Sequence, residues 1–182
     1  MLSRISIVAS FLAAAMTVAA QSARAPEYQV KAAFLYNFAK FVEWPAGAFP
    51  SSSTPFRICV LGRDPFGDAL TNIVQGKSIS SHPIVTMAVH SPAEERSCHV
   101  LFLSQSDPET LKQGLDRLRG LPILTVGESA DFLALGGMIN FVLEQDRVRF
   151  EISLAAAERH HLKLSSKLLA VARVINVGGG AN

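Results

Sequence analysis

The chain has 182 residues, 49% of them hydrophobic, with 17 Lys and Arg against 15 Asp and Glu. A net charge of +2 argues against nucleic acid as the main partner, which would call for a dominant basic face. The length suits one domain with a substantial core and leaves too little for two.

The first twenty residues, "MLSRISIVASFLAAAMTVAA", carry one cation, Arg4, then an uncharged apolar run that ends among small residues. That is the composition of a secretory signal peptide rather than of folded structure. Val18 and Ala20 suit cleavage before Gln21. The alternative, a retained membrane anchor, needs about 20 apolar residues, and Ser6, Ser10 and Thr17 interrupt this run. No later apolar run approaches that length. The expectation is an exported protein without direct membrane insertion: signal peptide 1–20, one domain over 21–177, and a disordered tail at 178–182.

"EYQVKAAFLYNFAKFVEWP" places Val30, Phe34, Phe38, Phe41 and Val42 at helical spacing, and Pro45 ends the helix. Tyr28, Leu35, Tyr36 and Trp44 widen its apolar surface beyond one stripe, enough for some of it to meet a partner. After a loop, "FRICVLG" at 56–62 reads as a buried strand, and "RDPFGDALTNIVQG" as a helix opening at Asp64 with Pro65 as its first residue. Residues 83–89, 98–103 and 122–126 are further short apolar strands. Between the last two, Ser106 or Asp107 caps a helix whose stripe is Leu111, Leu115 and Leu118 and which Gly120 ends.

A short helix over 129–134 precedes Gly136-Gly137. The runs "MINFVLE" and "RVRFEIS" then alternate with period two on either side of Gln145-Asp146, the signature of a hairpin. The two glycines let the chain turn sharply or approach another backbone closely. "LAAAERHH" and "SSKLLAVARVI" read as closing helices, the second capped by Ser165 or Ser166 with Leu168, Leu169, Ala172 and Ile175 inward. Alternation of strand and helix predicts an α/β, three-layer fold with a mostly parallel or mixed central sheet flanked by helices and a C-terminal β-hairpin.

Cys59 and Cys98 are the two cysteines, both in apolar segments of an exported chain. One disulfide is the simplest count; two buried free thiols are the alternative, because sequence does not give the Cα separation. The spacing of cysteines and histidines offers no metal site, and no cofactor is expected. "GRDPFGDA" at 62–69 lacks the Lys and Ser/Thr of a phosphate loop, and Asp64 and Asp68 would repel a phosphate. No serine elbow accompanies a base. Glu94-Glu95 beside Arg96 reads as a surface charge run, and His160-His161 as a solvated helix end. The chain is therefore not expected to be an enzyme. Arg147, Arg149 and Lys163, with Arg159, His160 and His161 nearby, are candidates for an anion site or a basic contact patch, against the alternative of dispersed solvated charges.

Three stretches, "YQVKAAFLYNFAKFVEWP", "ICVLGRDPFG" and "LGGMINFVLEQDRVRFEISLAAAERHHLKLSSKLLAVARVI", resemble the YfiR family of periplasmic proteins. The resemblance implies an α/β fold with a mixed sheet and usually a homodimer. It also implies a repressor of an inner-membrane diguanylate cyclase, acting through that enzyme's periplasmic sensing domain to hold down cyclic di-GMP and biofilm formation. Cys59 and Cys98 match a structural disulfide of the family, while a second pair found in some members is absent. The family's cyclase contact involves the strand matching "RFEI", which makes Phe150 and Glu151 the leading contact candidates. Trp44 and Phe41 follow on aromatic area. The reading from another class is a stand-alone periplasmic binding protein for a small anion or aromatic ligand.

Overall fold

The computed structural model describes residues 26–104 and 107–175. The expected signal peptide, the start at Gln21, the alternative cap Ser106 and the tail 178–182 lie outside the described residues. The chain runs α1 (26–40), β1 (Val42–Glu43), a 3-10 turn (Ala46–Ala48), β2 (Phe56–Gly62), α2 (Asp68–Val74), β3 (Ser78–Ile79) and β4 (His82–Val89). It continues through α3 (Pro92–Glu95), β5 (Val100–Ser104), α4 (Pro108–Arg117), β6 (Leu124–Gly127), β7 (Ile139–Glu144) and β8 (Arg147–Ile152). It ends with α5 (Leu154–Arg159), β9 (Lys163–Leu164), α6 (Ser166–Leu169) and β10 (Arg173–Val174).

Eight strands form one sheet in the order β10-β8-β7-β6-β5-β2-β4-β3. Pairing is parallel except at β3–β4 and within the β7–β8 hairpin, so the sheet is mixed. Both faces are covered, which is why β2 after Arg57 and β5 up to Ser104 read as apolar runs without alternation. Ile58, Val60, Val100 and Phe102 point to one core with α1, α2, α5 and α6; Cys59, Leu101 and Leu103 point to the other with Leu111, Leu115 and Leu118 around α4. Helices, sheet and helices thus make the three layers expected. β1 and β9 pair with each other outside this sheet.

The local departures have local causes. The second helix opens at Asp68, not Asp64: the Asp64 carboxylate accepts from the Phe66 amide at 2.8 Å, and this turn sends the Phe66 ring inward against Tyr28 and Phe102. Residues 130–136 form turns rather than a helix, and Gly136 takes φ +107. The last helix stops at Leu169. Arg173 and Val174 instead extend beside β8, in register with Glu151 and Ile152, because β8 offers an unpaired edge that the Ile175 amide also reaches, at the Ile152 carbonyl (2.8 Å). Cys98 stands just before β5 rather than within it.

Two polar pairs are also not the surface features expected. Glu94 closes a capping box with Ser91, while Glu95 is buried and bonded to Arg117 at 2.9 Å. His160 is buried, with Nδ1–H donating to the Leu121 carbonyl at 2.8 Å, whereas His161 is exposed.

Candidate functional site

The aromatic face of α1 covers the β7–β8 end of the sheet. Phe38 packs on Phe141 and Phe150 with ring centroids 5.6 and 4.8 Å apart, and Phe34 meets the same two rings from the preceding turn. One turn earlier the helix outruns its cover. Val30, expected on the buried stripe, is 45% exposed, and Leu143 on β7 is 55% exposed. The two line one groove of about 600 Å³ between the start of α1 and the hairpin, with Phe34 and Val148 in its wall and Glu27, Asp146, Arg147 and Arg149 at its edges.

The hairpin's shape sets this groove. Gln145 and Asp146 take φ +50 and +59, the paired left-handed conformation of a type I′ turn, whose twist suits two flanking strands. Val148 and Phe150 thereby face α1, while Arg147 and Arg149 are exposed. Neither arginine forms an ion pair with a carboxylate among the described residues. Glu27 is already committed to Lys31, whose buried ammonium also meets Glu128 at 2.7 Å and stands 4.6 Å from the Tyr28 ring centre. Among the described residues the groove therefore presents an apolar floor with two cations along one side that no carboxylate pairs.

The other sequence candidates fall elsewhere. Phe150 is 4% exposed and is a core residue, so its side chain offers almost no surface; it fixes the strand on which the two arginines stand. Glu151 bonds Arg173 on β10 at 2.9 Å, and the same guanidinium also holds Glu144. Lys163 lies on β9 opposite Glu43 and does not line the groove, so the three-residue anion site with Arg147 and Arg149 does not assemble. Trp44 is half-buried against Phe56 and His99, with its indole N–H on the Ala39 carbonyl at 3.3 Å, and Phe41 is half-buried at the crossing of α1 with β9 and α6.

Val30 and Leu143 are the residues whose exposure the sequence did not reveal. Each continues a core stripe past the point where the partner layer ends. A period shows which residues share a face; how far that face is covered depends on the length of the facing element.

Cys59 and Cys98 form a disulfide across a Cα separation of 6.0 Å, joining the middle of β2 to the segment that enters β5. Among the described residues no group of three or more His, Cys, Asp or Glu is placed to hold a metal ion, and no helix is long and apolar enough to cross a membrane.

Residues 28–173 match a family model described as YfiR/HmsC-like. The chain belongs to the YfiR/HmsC-like family. The match runs from the first turn of α1 to β10 and so takes in both walls of the groove and the disulfide. Proteins of this family are periplasmic regulators of diguanylate cyclase signalling rather than enzymes.

Proposed function

We propose that this YfiR/HmsC-like protein is exported to the periplasm, works as a homodimer, and represses an inner-membrane diguanylate cyclase by binding its periplasmic sensing domain. The groove between α1 and the hairpin is the docking surface. One observation carries this placement: exposed Val30 and Leu143 converge beside two arginines that no carboxylate pairs among the described residues. An exposed apolar patch rimmed by polar residues marks an interaction surface, and arginine is enriched among the residues that carry binding energy.

Repression requires differential binding. A regulator that held the active and inactive receptor equally well would shift nothing; one that prefers the inactive form about 100-fold shifts the balance by close to 3 kcal/mol. Apolar contact supplies most of that affinity, and the arginines set register and steer association with an acidic surface.

The test is a pair of groove variants, Leu143→Asp and Arg149→Glu, expressed in the native host. Both positions are exposed, so folding should be preserved. Loss of co-purification with the cyclase together with raised cyclic di-GMP is the expected result. Normal repression by both variants would place the contact elsewhere. Sedimentation equilibrium on the purified protein checks the dimer.

A further inference from the structure

A second cavity, of about 420 Å³, opens beside the first residues of β2, β5 and β6. Its cations are Arg57, on β2, and Arg96, on the connection from α3 to β5; among the described residues no carboxylate lines it. Neither guanidinium is paired with an acid among the described residues. Arg57 Nη1 instead reaches the Ser97 carbonyl at 3.5 Å, a long contact that orients the group without neutralising it.

His99, three residues after Arg96 and also in the wall, adds no third charge. Its Nδ1 accepts from the Arg57 amide at 3.1 Å, which leaves the proton on Nε2, and Nε2–H donates to the Ala48 carbonyl at 3.0 Å. The imidazole is thus fixed as one neutral tautomer with both nitrogens occupied. Thr54 and Ser97 add polar atoms, and an apolar section of the wall comes from Ala48 and Pro50 in the loop after α1 and from Leu121, Pro122 and Ile123 on the approach to β6.

Two planar cations and an apolar section of wall in one cavity define the complementary ligand. A carboxylate matches the guanidinium fork with two parallel hydrogen bonds, and a hydrocarbon body fills the remainder of a cavity within the size range of small-molecule sites. We propose that this cavity binds a small organic carboxylate with an apolar body, held by Arg57 and Arg96 against Leu121 and Ile123. The site is separate from the docking groove, and the proposal does not rest on the repressor reading.

The protein carries its own reporter. Trp44 is its single tryptophan, and its ring meets the His99 ring edge-on at 5.9 Å, so a ligand entering beside His99 changes its fluorescence. Hexanoate is the probe, hexanamide the uncharged isostere and inorganic phosphate the anion without an apolar body, each titrated into the purified protein by calorimetry and by Trp44 emission. Saturable binding of one hexanoate per chain is expected, with hexanamide and phosphate weaker by about tenfold or more. Arg96→Gln, at an exposed position, should weaken hexanoate by a similar factor at an unchanged unfolding temperature; Arg57→Gln should do the same. Equal binding of hexanoate and hexanamide, phosphate binding as tight as hexanoate, full affinity in Arg96→Gln, or no saturation by hexanoate would each overturn the proposal.

Discussion

The ring of Phe132 lies so close over Gly137 that a β-carbon at Gly137 would stand 2.2 Å from ring atom Cε1. Gly127 flanks the other side of the ring, where a β-carbon would stand 2.2 Å from Cδ2. The Gly137 amide also donates to the Phe132 carbonyl at 2.9 Å, so one pair of residues both closes the turn and seats the ring. Gly137 is therefore a close-approach glycine, with a side chain rather than another backbone pressed on it. Gly137→Ala should destabilise the fold by about 3 kcal/mol, the upper end for overpacking a buried site. Urea unfolding measures the loss. Adding Phe132→Ala should recover part of it, and strictly additive effects of the two changes would contradict the contact.

Cys59 and Cys98 are 39 residues apart, and bridging a loop of that length stabilises a fold by about 4 kcal/mol in the chain-entropy model. This is a large fraction of the ~5 to 15 kcal/mol that separates folded from unfolded states in most domains. Cys98→Ser, or a reductant strong enough to open the bridge, should lower the urea midpoint accordingly without changing the fold's helix content in the absence of urea. In the native host the same variant should raise cyclic di-GMP. Wild-type stability in Cys98→Ser would show that the bridge contributes nothing to the folded state.

The core of the sheet was legible because its strands are buried on both faces. "ICVLG" and "VLFL" are apolar without alternation, and the Asp107 cap with the Leu111, Leu115 and Leu118 stripe defines α4 locally. What escaped was set by partners distant in sequence. Residues 173–174 are strand because β8 leaves an edge to pair with, a circumstance absent from "LLAVARVI" itself. Period two correctly paired Phe141 with Leu143 and Phe150 with Ile152, but not which end of the hairpin α1 would leave bare. Lys163 and Arg149 are close in sequence, yet α5 intervenes and carries them to different sheets.

Burial pushes the His99 and His160 imidazoles below their ordinary value of 6.5, and the carbonyls of Ala48 and Leu121 only partly oppose it. Around His99, Arg57 and His82 add repulsion; around His160, Arg159, Arg119 and His161 do. A proton is therefore bound more readily by the unfolded chain. The contribution of each neutral histidine is complete above pH 6.5 and is lost as pH falls through that value towards the depressed folded-state one. The urea midpoint should fall between pH 7 and pH 5. Half-buried Glu94 and exposed Asp107 and Asp116, whose values lie below the ordinary carboxylate range, act at lower pH and leave this window clear. His99→Asn, which keeps an acceptor near the Arg57 amide but does not titrate, should flatten the slope. An unchanged slope would assign the effect to other groups.

Gln145 and Asp146 occupy the left-handed region that side chains with a β-carbon enter at a cost of about 1 kcal/mol each. The hairpin tolerates them because its register is held elsewhere: Val148 and Phe150 are pinned by α1, and Arg173 bridges Glu144 on one strand and Glu151 on the other. Replacing the pair by Asn-Gly, the sequence a two-residue type I′ turn favours, removes about half of the cost once the backbone entropy that glycine loses on folding is counted, and leaves the strand pairing Glu144 with Arg147 intact. The double substitution should therefore raise stability by about 1 kcal/mol, read as a higher urea midpoint at unchanged slope. Because Arg147 and Arg149 keep their places, cyclase binding through the groove should persist in the more stable protein. A lower midpoint would mean that the Gln145 and Asp146 side chains contribute to folding in a way the turn geometry does not require.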